Sequence, residues 1–335
     1  MARNGTQCLS ERICSTSSTS ESTLVFPNSK RFNGSDAARN GFHPNAWVFL
    51  TVPELPEVET VRRGLVNRLV GRVISRVEVR RDNLRFPFPE RMAERMEGRK
   101  IEGIDRRAKY LLARLDDGTS WLIHLGMSGK FTLFEAGEEP SEVGKHDHFA
   151  MWLDDGGQAI YTDPRRFGVM DLVDTDVANR HRLLSGLGLE PLSDDFDAVA
   201  FCELLRGRRT PMKSALLDQR LVAGLGNIYV CEILSRAGVS PKRSAASVGG
   251  AGPSPTLRGE RLVTATKQVL EEAIEAGGSS ISDFANVEGD LGYFSHSFRV
   301  YGREGMACLR QGCSGKISRI VQSGRSTFYC PRCQR

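Results

Sequence analysis

Beyond residue 53 the spacing of hydrophobic positions changes twice, and the changes divide the chain. Val58, Val61, Leu65 and Leu69 recur at three- and four-residue steps, one face of a helix that opens at Pro56 and stops near Gly71. Proline suits the start of a helix because its missing N–H would have no partner there. Glu57 and Glu59 fall in the first turn, where the helix dipole favours carboxylates. Seven short runs then read as strands, at 73–79, 100–104, 110–115, 121–125, 130–134, 149–153 and 159–162. Turn sequences such as Asp116-Asp117-Gly118 and Asp154-Asp155-Gly156-Gly157 separate them. After a Gly/Leu/Pro linker around 186–192 the helical period returns at 197–205, 211–217, 227–237 and 258–276. Gly238 and Gly277-Gly278 stop the last two, and the Ser/Gly/Ala/Pro stretch 244–255 between them predicts a mobile loop. The expected fold class is α+β: a leading helix with an N-terminal β-sandwich over 53–184, a linker over 185–196, a helical domain over 197–298 and a small unit over 299–335.

Residues 1–52 are rich in Ser, Thr, Asn and Gly, show no apolar period and predict a disordered leader. A regulatory tail, an organelle transit peptide and a mis-assigned translation start all fit; Val52, whose codon can serve as an initiator, favours the third. The chain of 335 residues is 40% hydrophobic, enough for a substantial core. No run approaches the ~18 apolar residues of a membrane span, so no membrane partner is expected.

Charge is unevenly placed. The whole chain carries +5, but 299–335 holds eight Lys/Arg against Glu304 alone, +7, leaving about −2 for the rest. A compact basic unit is the footprint of a phosphate-backbone binder. The same unit carries Cys308-x4-Cys313-x16-Cys330-x2-Cys333. Two close pairs around a hairpin-sized insert match four thiolates on one structural Zn2+, with a slightly enlarged first knuckle. Two disulfides are the competing reading, but no secretory signal is evident. Cys202 and Cys231 stand alone and read as small apolar core residues, while Cys8 and Cys14 fall in the leader.

Pro53-Glu54 is the candidate reactive pair. A proline at a chain terminus is a secondary amine with a pKa of ~7.7–8.0, partly neutral near pH 7 and able to attack an electrophilic carbon. Within a chain the same nitrogen is an amide and inert. Glu54 beside it is a candidate general acid if burial raises its pKa.

Seven segments occur in one order: Pro53–Thr60, Arg106-Arg107-Ala108-Lys109-Tyr110-Leu111, His124-Leu125-Gly126-Met127-Ser128-Gly129, Lys145-His146-Asp147-His148, Thr162-Asp163-Pro164-Arg165-Arg166-Phe167-Gly168, Gly224-Leu225-Gly226-Asn227-Ile228-Tyr229 and 322–330. Together they resemble the bacterial formamidopyrimidine-DNA glycosylases over the chain from Pro53 onward. The resemblance implies a β-sandwich, a helix–two-turn–helix domain and a C-terminal zinc ribbon. It also implies a cytoplasmic, monomeric enzyme that acts on double-stranded DNA, excises oxidised purines such as 8-oxoguanine and formamidopyrimidines, and then nicks the strand.

Carried over residue by residue, it makes Pro53 the nucleophile and Glu54 the general acid. Glu57 becomes a second site carboxylate, although helix-start electrostatics accounts for it equally well. Lys109 is implied on a phosphate and in β-elimination, and Arg325 in δ-elimination. Met127, Arg165 and Phe167 would fill the space left by an extruded base, the arginine reading the orphaned partner. His146, Arg209, Lys213 and Asn227 would touch the DNA backbone, Asn227 doubling as a helix cap. The loop 279–284 matches the family's lid over the flipped base. Two other classes remain open: a non-catalytic damaged-DNA-binding protein if Pro53 stays an amide, and an endonuclease VIII-type glycosylase for oxidised pyrimidines.

Overall fold

The computed structural model describes residues 52–138, 144–279 and 292–335. The leader expected before Val52 and positions 280–284 of the lid lie outside the described residues. The described residues belong to one compact unit.

Helix α1 (Leu55–Leu69) opens the unit. Strand β1 (Ile74–Val79), helix α2 (Met92–Met96) and strands β2 (Ile101–Arg107), β3 (Tyr110–Leu115), β4 (Thr119–His124), β5 (Lys130–Phe134), β6 (Asp147–Leu153), β7 (Gln158–Thr162) and β8 (Val169–Asp174) follow. They form two four-stranded sheets, ordered β1-β6-β7-β5 and β2-β3-β4-β8, with every pairing antiparallel. Trp121, Phe131, Phe149 and Tyr161 fill the space between them, joined by Val58, Val61, Leu65 and Leu69 of α1. The helical face read from the sequence is therefore the buried face.

Strand β8 and helix α2 were not predicted. Val169, Met170, Leu172 and Val173 of β8 are all buried, Met170 and Leu172 in the sandwich core and Val173 in a small cluster with Leu122, Ala178 and Leu184. A strand covered on both faces shows no alternation to read. Helix α2 is a turn and a half, too short to display a period.

The second lobe contains α3 (Ala198–Leu205), α4 (Met212–Leu217), α5 (Asn227–Ala237), α6 (Ala246–Gly249) and α7 (Leu257–Glu275). Gly238 ends α5 in the left-handed conformation with φ 71°, which a side chain would strain. The stretch 244–255, expected to be a loop, is only partly one. Ala245 and Val248 are fully buried, and a Cβ on Gly249 would come within 2.7 Å of the Cys202 carbonyl oxygen. Small residues there permit close packing on α3 as well as marking a loop. Cys202 and Cys231 lie in the interior as expected.

The chain closes with β9 (Ser318–Gln322) and β10 (Arg325–Tyr329). They pair across a two-residue turn, Ser323 at φ 49° and Gly324 at φ 72°, the positive-φ geometry that matches hairpin twist. Phe328 and Cys330 join the core of the helical lobe, and so does Leu55. Helix α1 thus begins in one core and continues into the other.

Candidate active site

The start of α1 meets the start of α5. Glu54 is buried, and its carboxylate accepts the backbone N–H of Ile228 at 3.0 Å and of Tyr229 at 3.4 Å. Leu55 N–H donates to the Gly224 carbonyl at 3.2 Å. The bare glycines make this approach possible: a Cβ on Gly226 would fall 2.1 Å from the Glu54 carboxyl carbon. Burial pushes the Glu54 carboxyl up to about 7, and nearby Glu57 adds to it, while Lys109 and the two backbone donors pull the other way. Pro53 is also buried, directly before this acid.

Glu57 Oε2 accepts the Glu54 backbone N–H at 3.0 Å. Its Oε1 accepts the Tyr229 hydroxyl at 2.6 Å and both the backbone N–H and hydroxyl of Ser279 at 2.8 Å. Burial, then the Glu57 charge, holds the Tyr229 phenol well above its usual range, so it remains a donor. Glu57 therefore ties α1, α5 and Ser279 together, a structural part that helix-start electrostatics alone does not supply.

Lys109 projects from the two-residue turn between β2 and β3. Ala108 before it has φ 54°, an unfavourable conformation for a residue with a side chain. Glu190 holds that turn in place. Its Oε2 accepts the Ala108 N–H and the Arg107 guanidinium, both at 2.9 Å, and its Oε1 accepts from Arg106 at 2.5 Å. Arg106 also reaches Glu59 at 3.0 Å. Burial lowers the Lys109 pKa, the Glu54 and Glu57 charges oppose the shift, and Arg325 reinforces it. The four groups accordingly share one electrostatic site.

Arg325 is exposed at the first position of β10. The hairpin that carries it is fixed from below. Lys213 is fully buried and donates to the Ser326 carbonyl at 2.8 Å and the Thr327 hydroxyl at 2.7 Å; Asn227 Nδ2 donates to the same carbonyl at 3.1 Å. These placements revise two expectations. Gly226, not Asn227, is the cap residue of α5. Lys213 faces the hairpin rather than an open surface, because the basic ribbon folds over it.

The ribbon itself closes on four sulfurs. Cys308 and Cys333 Sγ lie 3.7 Å apart, as do Cys313 and Cys330 Sγ, and all four fall within 4.8 Å of one another. Zn–S bonds of ~2.3 Å in a tetrahedron place sulfurs ~3.8 Å apart, whereas a disulfide needs ~2.05 Å. The cluster fits one structural Zn2+.

Two loops of the sandwich carry the three residues expected to form a wedge. Met127, between β4 and β5, is half-buried; Arg165 and Phe167, between β7 and β8, are exposed, with the guanidinium 5.1 Å over the phenyl ring. Phe167 is 44% exposed, an unusual position for a phenylalanine with no partner surface. His146 is half-buried with its ring 6.3 Å from that of His148, and Arg209 is exposed in the turn before α4.

Three family models match in sequence: the formamidopyrimidine-DNA glycosylase N-terminal domain over 52–170, its helix–two-turn–helix domain over 187–285, and a zinc finger found in these glycosylases and in isoleucyl-tRNA synthetase over 307–335. The chain belongs to the formamidopyrimidine-DNA glycosylase family. A formamidopyrimidine-DNA glycosylase of Ruegeria pomeroyi is 55% identical over 289 residues, covering 85% of this chain and all of the relative. The structure of a Lactococcus lactis Fpg variant with Fapy-dG-containing DNA aligns at TM-score 0.74 and 39% identity, and that of MutM with DNA containing carbocyclic 8-oxo-G at 0.73 and 39%; each covers 84% of this chain and all of the other. The chain is thus a DNA glycosylase of the repair class. Among the described residues no helix is long and apolar enough to cross a membrane.

Two further residues shape this glycosylase site. His124 sits beside Lys109, and burial, then the Lys109 and Arg85 charges, lower its pKa to about 4. It is neutral, and its Nδ1 accepts the Gly126 N–H at 3.0 Å. Glu190 lay in a segment read as linker, and nothing local marks it, since its partners are some 80 positions away.

Proposed function

We propose that this glycosylase is bifunctional, with Pro53 as its nucleophile when it is a free N-terminus. The supporting observation is the buried Glu54 carboxyl, raised to about 7, directly after Pro53 and in the field of Lys109. In this reading the proline nitrogen forms a bond to the anomeric carbon as the bond to the damaged base breaks. Glu54 delivers its proton to the sugar ring oxygen or the departing base. The amine then loses its proton and the bond from the anomeric carbon to the ring oxygen breaks, the oxygen leaving as a hydroxyl; the iminium so formed acidifies the neighbouring sugar protons. Their loss expels first the 3′ and then the 5′ phosphate, with Lys109 and Arg325 beside the departing anions.

Met127, Arg165 and Phe167 enter the duplex where the nucleotide leaves it, and His146, Arg209 and the start of α5 with Asn227 hold the backbone. The substrates are duplexes with oxidised purines, 8-oxoguanine and formamidopyrimidines, the lesion types in the DNA of two of the solved relatives, while a third complex holds an oxidised pyrimidine. The enzyme works in the cytoplasm as a monomer. The family match begins at residue 52, next to Pro53, which supports a mature chain starting at that proline.

Borohydride trapping on a duplex with one 8-oxoguanine opposite cytosine tests this. The 335-residue chain and a chain whose first residue is Pro53 are compared. A covalent adduct with the shorter chain alone is expected. DNA binding without an adduct in either chain would overturn the proline mechanism and leave a non-catalytic damage binder. Faster excision of oxidised pyrimidines would instead move the enzyme to the endonuclease VIII type.

A further inference from the structure

The two wedge loops come from different hairpins, yet buried groups stitch them together. Asp163 is completely buried at the end of β7. Its Oδ1 accepts the Ser128 hydroxyl at 2.5 Å and its Oδ2 accepts the Gly168 N–H at 2.8 Å. The Ser128 oxygen accepts the Arg165 N–H at 3.2 Å, so the hydroxyl passes the link from one loop to the other. Tyr161 adds a third tie, its hydroxyl oxygen 3.4 Å from the Leu125 carbonyl and 3.5 Å from Asp163 Oδ2. Burial, then the adjacent Asp163, keeps that phenol protonated far above the usual range.

Steric evidence agrees. A Cβ on Gly126 would fall 2.4 Å from the Phe167 carbonyl carbon, so the two backbones lie in direct contact. A Cβ on Gly129 or Gly168 would come within 2.1 or 2.0 Å of the Tyr161 hydroxyl. Arg166, between the two exposed wedge residues, has φ 54°, and its N–H donates to the Asp163 carbonyl at 3.2 Å. Strain in a bulky residue persists only where the surroundings impose it.

We propose that Ser128 and Asp163 are positioning residues that make Met127, Arg165 and Phe167 one rigid body, inserted into DNA as a unit. The proposal rests on reading those three side chains as the wedge. A preassembled wedge meets the base stack without first ordering its loops, so its rate of entry is higher than that of three independent side chains. Neither Ser128 nor Asp163 needs to touch DNA for this.

The test uses the Pro53-initiated chain and stopped-flow fluorescence of 2-aminopurine placed beside an 8-oxoguanine–cytosine pair. Ser128→Ala removes one hydroxyl and leaves the fold. It is expected to slow the insertion phase and single-turnover excision about tenfold, the rate equivalent of one buried hydrogen bond. KM is expected to stay within about twofold, and nicking of a preformed abasic site, which needs no base extrusion, to stay at the parental rate. Asp163→Asn is expected to act in the same direction, and Ser128→Thr, which keeps the hydroxyl, to restore the phase. Equal losses on both substrates, or an unchanged insertion phase in Ser128→Ala, would overturn the proposal. Phe167→Ala separates the levels: if it leaves the phase unchanged, the wedge reading itself fails, and if only Phe167→Ala slows it, the relay alone fails.

Discussion

The Glu54 carboxylate accepts the Ile228 backbone N–H at 3.0 Å, so the candidate acid of the sandwich lobe also satisfies the start of a helix in the other lobe. In the proposed mechanism one group serves both proton transfer and lobe contact, so its protonation bears on both.

The pH dependence follows from that double duty. With Glu54 at about 7, excision is expected to fall on the alkaline side as the acid loses its proton, and on the acid side as the proline amine becomes protonated. Glu54→Gln is expected to lose most excision at every pH. For stability, a carboxyl raised above its unfolded value of 4.5 stabilises the fold below that value, and this contribution is lost as pH rises toward 7. Denaturant titrations should therefore find Glu54→Gln more stable than the parent at pH 8 by about 1–3 kcal/mol, less any cost of the weaker Tyr229 acceptor. An unchanged difference between pH 5 and pH 8 would contradict a raised carboxyl.

Gly226→Ala tests the close approach directly. The added Cβ would lie 2.1 Å from the Glu54 carboxyl carbon, so the acid must move. Single-turnover excision is expected to drop at least about tenfold with DNA affinity retained, since misplacing a reacting group by about 1 Å has effects of that order. Gel-shift and excision assays on one preparation check both halves.

Much of the frame could be read from the chain because it is written in local periods. The apolar stripe of α1, the limits of β3, β5 and α5 and the cysteine spacing all appear in the structure where the pattern puts them. What escaped was long-range. Strand β8 lost its alternation to burial on both faces. The Glu190 anchor of the Lys109 turn has no local signature, and Lys213 reads as a surface cation until the ribbon is folded over it. Hydrogen bonds between positions a hundred residues apart leave no period behind.

Lys213 distinguishes a phosphate contact from an internal support. Lys213→Met is expected to leave the salt slope of DNA binding unchanged, whereas Arg209→Ala lowers it by about one. The same variant leaves Ser326 and Thr327 short of a donor, a loss of about 1–3 kcal/mol visible in thermal unfolding. A reduced salt slope for Lys213→Met would return it to the DNA surface.

Zinc removal reports on the ribbon. Chelation, or Cys330→Ser, is expected to release one equivalent of Zn2+ in a colorimetric assay and to abolish tight DNA binding. The ordering of Arg325 should go with it, read as lost amide protection across 325–329. A zinc-replete, fully active Cys330→Ser protein would refute the four-thiolate assignment.

Helix α1 begins in the core of the helical lobe at Leu55 and continues into the sandwich core from Val58. During synthesis Glu54 emerges long before the backbone donors that hold it, since Ile228 and Tyr229 are some 175 positions later. A partly made chain that has not reached α5 lacks both of these donors. The surroundings of Glu54 are therefore completed only once both lobes have been synthesised, and a chain cut before α5 leaves this carboxylate without those two donors.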